Sequence, residues 1–247
     1  MPNNPLAGAS YLLRGFSLIM RPGLRRFVLI PLLVNTVIFS LLAWFGISQF
    51  QELINWLLPE ESWFAFLRWL LWPLFALTMV LVIVYSFTVL ANLIAAPFNS
   101  QLAEQVELML SGLPPQQADG SIIKNLVPAL KSELGKLGYF LVRAIPLLIL
   151  FAIPGVNIIA PFLWLLFNAW FLALEYADYP MANNNLDFKT QHTRLKAARL
   201  TSLGFGGTTT LLMMVPVLNF LAMPAAVAGA TVYWHEQLQR EDQGATP

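Results

Sequence analysis

Cysteine is absent from the 247-residue chain. Disulfides, thiolate metal centres and cysteine nucleophiles are thereby excluded, and the redox compartment leaves no mark. Charge is scarce too: 11% of residues are charged and 57% hydrophobic, where a soluble domain carries about a quarter charged and under half apolar. No core absorbs that much apolar side chain and no wetted surface tolerates it. Lipid does, so the sequence reads as an integral membrane protein. The net charge of +1 offers nothing to nucleic acid.

Chemistry-bearing motifs are equally sparse. No GxxxxGK[ST] loop is present to cradle nucleotide phosphates, so neither nucleotide binding nor ATP hydrolysis is expected. The "GFGG" run at Gly204–Gly207 lacks the strand and spacing of a dinucleotide fingerprint and reads as flexibility or close packing at a hairpin entrance. His192 and His235 stand far apart at the edges of apolar runs, so they read as interfacial residues, and no metal is expected. Glu104/Glu107 and Glu175/Asp178 sit at helical spacing, where paired carboxylates read as solvated surface. With no nucleophile–base constellation and no cofactor motif, an enzyme is not expected.

What is there is helical and apolar. In residues 1–26 the apolar positions are broken up and no small-residue cleavage site follows, unlike a signal peptide. Tyr11, Leu12, Phe16 and Ile19 share one side of a helix, which predicts an interfacial amphipathic helix. Residues 27–50 are uncharged over about 36 Å of helix, enough to span a hydrocarbon core of about 30 Å. Residues 69–101 form a second, longer uncharged run. Pro31 and Pro73 read as first-turn prolines of these spans. Between the spans lies an acidic loop with Glu52, Glu60 and Glu61.

Residues 144–174 and 203–234 are apolar runs broken in the middle, by "IPGVNIIA" and "VPVLNFLA". These breaks share Pro154/Pro216, Asn157/Asn219 and Ala160/Ala222, a weak internal repeat. Each arm offers about 20–22 Å of helix, short of a crossing. Two hairpins that enter and leave by the same side are expected, with four short full spans as the alternative. Lys and Arg gather before residue 27, in 102–143 and in 175–202, and avoid the acidic loop. Positive loops stay inside, so both termini and both large loops are expected in the cytoplasm. The 102–143 segment includes the breaker-rich "SGLPPQQADGS", and residues 235–247 form a tail. The whole reads as a single membrane domain.

Inside the membrane the polar residues are neutral: Asn35, Asn92, Asn157, Asn168 and Asn219. They serve either as helix–helix glue or as the lining of a path for a polar solute. Asn157 and Asn219 carry the path reading furthest, because turns at depth need a wet or protein-lined setting. Just before the first span, "IMRPGLRRF" brings Arg21, Arg25 and Arg26 around a Pro-Gly turn. Such a cluster orients a span. It also suits an oxyanion, met by the outward N–H groups of Gly23 and Leu24 near a helix start and by rigid guanidinium forks.

Three stretches carry a family resemblance: "LRGFSLIMRPGLRRFVLIPLLVN" (13–35), "ANLIAAPFNSQLAEQVE" (91–107) and "LEYADYPMANN" (174–184). In them the sequence resembles the CysZ family of bacterial sulfate permeases. The resemblance implies sulfate movement across the inner membrane into the cytoplasm for cysteine synthesis, with no cofactor or nucleotide. It also implies two long spanning helices plus two hemi-penetrating hairpins, a homo-oligomer in the lipid bilayer, and a sulfate site at Gly23, Leu24 and Arg25 with Arg26 alongside. Sulfite is the expected competitor. The alternative is a non-transporting scaffold whose arginines hold lipid phosphates.

Overall fold

The computed structural model describes residues 3–59, 63, 66–113 and 122–239, except for the side chains of 83–94, 122–130 and 216–217. Glu60, Glu61, most of the "SGLPPQQADGS" stretch, the end of the tail and the Asn92 side chain lie outside the described residues. Among the described residues every regular element is helical: α1 (Pro5–Ile19), α2 (Arg26–Leu57), α3 (Leu67–Ser111), α4 (Ile122–Ala152), α5 (Ala160–Asn183), α6 (Phe188–Ala197), α7 (Arg199–Met213) and α8 (Pro216–Tyr233). The chain forms two compact units, one of residues 1–28 and 99–247, the other of residues 29–98.

The smaller unit is an α2–α3 pair. The ring of Phe50 stacks on Phe75 with centroids 3.7 Å apart and meets Trp72 edge-on at 5.0 Å. Both helices run past the expected spans of 27–50 and 69–101, because polar residues at their ends continue the helix outside the apolar run. Pro31 and Pro73 lie inside the helices, beyond the first turn, so each removes a ladder hydrogen bond where none was expected to be lost.

The larger unit is built around α1, which packs against α7 and α8. Asn4 caps α1, its side chain accepting from Ala7 N–H at 2.7 Å, and Pro5 fills the first helical position. The side chain of Asn3 accepts from the Leu200 and Thr201 amides at 2.9 and 3.1 Å. It thereby caps α7, whose own N-cap residue Ala198 offers no side chain for the task. Glycines make the close approach possible. A Cβ on Gly8 would strike the Thr201 carbonyl, and one on Gly15 the backbone of Ala225 and Gly229.

The apolar side of α1 is spent on protein. Tyr11, Leu12 and Ile19 are buried, with Tyr11 stacked on Tyr233 at 5.0 Å, where the amphipathic pattern alone points to an interfacial surface. A helix seam sealed at backbone distance takes up the side chains that an isolated helix would give to lipid.

By length and composition α2, the Lys131–Ala152 part of α4, and α5 are long and apolar enough to cross a membrane. The helices on either side of the first break are therefore longer than the apolar run alone implied, since α4 continues through Lys131, Glu133 and Lys136 and α5 through Glu175 and Asp178. Those on either side of the second, α7 and α8, have 15 and 18 residues. Both breaks are turns. In the first, Gly155 adopts φ +85 before a single 3-10 turn, Val156–Ile158. Pro154 stands just ahead of that 3-10 turn, whereas its repeat partner Pro216 opens α8. Large apolar side chains on α4 and α5, including Leu148, Ile149, Phe162 and Leu166, stay exposed.

Candidate anion site

The link from α1 to α2 is a β-turn dictated by its residues. Pro22 fixes φ at the second position and Gly23 takes φ +93 at the third, which closes the Leu24 amide onto the Arg21 carbonyl at 3.2 Å. The Arg25 amide reaches the same carbonyl at 3.3 Å, and the Leu24 side chain is only 2% exposed. Leu24 thus anchors the turn while Arg21, Gly23, Arg25 and Arg26 face outward.

This corrects one expectation. The Leu24 N–H is turned inward and already satisfied, so it is not a free donor. The Gly23 N–H meets no acceptor among the described residues. Arg26 lies over the Phe27 ring at 4.8 Å, and Arg21 Nη1 points to Met109 Sδ at 3.7 Å. Among the described residues none of Arg21, Arg25 and Arg26 has a carboxylate within 4 Å. Two other cations of the same unit are neutralised: Arg14 Nη1 donates to Glu236 at 2.8 Å, and Lys136 sits among Glu133, Glu175 and Asp178. The turn is a cluster of uncompensated guanidinium groups on a fixed frame.

One member of each carboxylate pair that reads as solvated surface is instead held by protein. Glu107 is buried and receives hydrogen bonds from Asn184 Nδ2 at 3.0 and 2.9 Å and from Trp234 Nε1 at 3.4 Å. Burial pushes its carboxyl above the ordinary value, while those two donors pull the other way. Asp178 is held by Lys136 Nζ at 2.8 Å and Gln191 Nε2 at 2.7 Å. Helical spacing was visible in the sequence; the partners, far away in the chain, were not.

Those partners join the stretches that carried the resemblance. Asn183 and Ser100 exchange hydrogen bonds at 2.8 and 2.9 Å, Asn184 holds Glu107, and Arg21 reaches Met109 two residues further along α3. The end of α3 is thus the post to which the arginine turn and the end of α5 are both tied.

The asparagines lie on different elements. Asn157 is exposed in the 3-10 turn of the first hairpin, and Asn219 is exposed in the first turn of α8. Asn35 lies on α2 in the smaller unit, and its Oδ1 finds no donor among the described residues. Asn168 is glue: its Nδ2 donates to Thr210 Oγ1 at 3.1 Å, joining α5 to α7. His192 is not a bare surface residue. It lies among the rings of Tyr139, Trp170 and Phe188, and burial followed by the charges of Arg143 and Lys196 pushes its pKa down. Among the described residues no group of His, Asp and Glu has the makings of a metal site.

A family described as "Sulfate transporter CysZ/Etoposide-induced protein 2.4" matches residues 11–224. The chain belongs to this family. Among its relatives, the "Sulfate transporter CysZ" of Pseudomonas fluorescens (strain Pf0-1) is 46% identical over 237 residues, covering 95% of each chain. That of Pseudomonas aeruginosa (strain LESB58) is 43% identical over 232 residues, 93% of this chain and 94% of its own. That of Salmonella typhimurium is 44% identical over 233 residues, 93% and 92%. The family is one of transporters, not of enzymes.

Proposed function

We propose that this protein is a sulfate permease of the bacterial inner membrane, carrying sulfate into the cytoplasm for cysteine synthesis without hydrolysing nucleotide. The observation that carries the proposal is the arginine turn in a chain of this family: among the described residues Arg21, Arg25 and Arg26 lie together on one fixed turn without carboxylate partners, whereas Arg14 and Lys136 of the same unit have them. Sulfate supplies the missing charge. Arg25 and Arg26 donate to its oxygens, the Gly23 amide adds a backbone donor, and buried Leu24 holds the turn in register. Sulfite, a smaller oxyanion, competes for the same donors.

The re-entrant reading of the first hairpin rests on a depth argument. Helix α6 carries Lys189, Arg194 and Lys196, which belong at the water or headgroup level. His192 on α6 contacts Tyr139 of α4 and Trp170 of α5, so both arms pass that level there. From Tyr139 to the end of α4 remain about 20 Å, and from Trp170 back to the start of α5 about 15 Å. A bilayer core needs about 30 Å. The hairpin therefore stops within it, and its turn, with Asn157, needs a wet or protein-lined setting. Asn219 in the second hairpin, with Asn35 and Asn92 on the long helices, completes the candidate path. Subunits of a homo-oligomer supply the shielding, with both termini in the cytoplasm and lipid around the outer faces.

Radiolabelled sulfate flux into proteoliposomes containing only this protein tests the proposal, with Arg25→Ala/Arg26→Ala alongside. The expected result is flux above empty liposomes, reduced about tenfold or more in the variant by loss of two charge-assisted contacts. No flux from the wild type sinks the permease reading. Equal flux in both removes the arginines from transport.

A further inference from the structure

A second group of cationic and donor side chains is short of acceptors, where α4, α5 and α6 meet. The His192 ring lies 5.0 Å from Tyr139, 5.8 Å from Trp170 and 6.2 Å from Phe188. Arg143 stacks 3.6 Å over Tyr139, and its Nη1 donates to the Tyr139 carbonyl at 3.3 Å, which leaves its remaining donors open. Lys196 is exposed one turn beyond His192. The charges of both Arg143 and Lys196 act on His192, so the three groups lie within electrostatic reach of one another. Among the described residues none has a carboxylate within 4 Å. Trp170 Nε1 is shut off from water and meets no acceptor among the described residues. Four donor-bearing side chains around one aromatic wall call for an oxyanion.

The surroundings distinguish its source. The polar residues of α6 mark the headgroup level, a depth taken from the re-entrant reading above, and Tyr and Trp prefer that level. Immediately beyond, on the same two arms, Leu148, Ile149, Phe162 and Leu166 expose apolar surface. A free inorganic anion has no use for that surface; an acyl chain does. Basic pockets between helices at this level take lipid headgroups.

We infer that Arg143, His192, Lys196 and Trp170 form an oxyanion site for the phosphodiester headgroup of an anionic membrane lipid, its acyl chains lying along the exposed faces of α4 and α5. This site sits on different elements from the arginine turn. Bound there, the lipid bridges the hairpin to α6 and holds the hairpin at its depth.

Native mass spectrometry of the full-length protein tests this, counting retained phosphatidylglycerol and phosphatidylcholine in wild type, Arg143→Gln/Lys196→Gln and Trp170→Phe. Wild type is expected to retain phosphatidylglycerol in preference to phosphatidylcholine. The double variant is expected to lose affinity for phosphatidylglycerol about fivefold for each charge removed. Trp170→Phe, which keeps the ring and removes only the N–H, is expected to lose a smaller part. Should the double variant fail to fold, the Trp170→Phe result decides alone. Undiminished phosphatidylglycerol retention in the folded variants overturns the site. Release of the lipid by millimolar sulfate overturns the lipid assignment and gives the site to free anion. No transport is measured, so failure here is distinct from failure of the permease reading.

Discussion

Lys136 Nζ lies 2.8 Å from Asp178 Oδ2, with the lysine side chain only 5% exposed between α4 and α5. Glu133 adds a second contact at 2.7 Å, and Gln191 of α6 secures the other oxygen of Asp178. Removing one partner of such a pair strands the other charge. Lys136→Met is expected to cost about 3 kcal/mol, read as a lowered melting temperature in detergent. Lys136→Met/Asp178→Leu is expected to recover part of that loss, because the stranded carboxylate goes too. Equal destabilisation in the single and double variants would refute the account.

Glycine should matter by position, not by number. Gly15→Ala drives a methyl group into the Ala225 carbonyl and the Gly229 backbone, and rigid backbone cannot give way cheaply. Gly138 on α4 has open space around its missing Cβ. Gly138→Ala is expected to raise the melting temperature, the helix gaining up to about 1 kcal/mol, while Gly15→Ala lowers it. Thermal melts of the two variants side by side check the contrast.

The arginine turn separates anchoring from binding. Leu24→Ala removes a buried side chain and is expected to cost about 2 kcal/mol or more of stability. Gly23→Ala meets no atom but must hold φ +93, a strain of about 1 kcal/mol. Both are expected to reduce sulfate flux. Arg25→Gln is expected to reduce flux and leave the melting temperature unchanged, since its side chain is exposed. Flux and melting curves measured on the same three preparations test the division.

His192 predicts a pH trend. Facing it are Tyr139 and Arg143 from α4, Trp170 from α5, and Phe188 and Lys196 from α6; no carboxylate appears among them. Its pKa is lower in the folded protein than in the unfolded chain, so the unfolded chain binds the proton more readily. The associated stability is present above about pH 6.5 and is lost as pH falls through the lower folded value. Melting temperature in lipid-free detergent is expected to drop between pH 7 and pH 5, and to drop less in His192→Phe.

How much of this could be read from the chain depended on whether a residue's partner was near in sequence. The first turn was legible because Pro22 and Gly23 determine it locally, and the two breaks between helices were legible from Pro154 and Pro216. Helix ends were not, because α2 and α3 continue past the apolar runs that marked them. The inward Leu24 amide was not legible, since nothing in "RPGLRR" announces that the Arg21 carbonyl takes it back. Glu107 and Asp178 looked like surface because their partners, Asn184, Trp234 and Lys136, lie dozens of residues away. Long-range pairing leaves no local signature, and polar networks are made of it.

The seam between α1 and the α7–α8 pair has a consequence for biogenesis. Helix α1 leaves the ribosome before the α7–α8 pair that makes its berth, since Gly8 and Gly15 close on Thr201, Ala225 and Gly229. At ordinary rates of synthesis the interval is about 10–40 s. Through that interval Tyr11, Leu12 and Ile19 have no protein to cover them, and the surface of the bilayer is the nearest apolar shelter. The amphipathic pattern that reads as a membrane-surface helix then describes a waiting position, and a chain stopped short of residue 225 would leave α1 there.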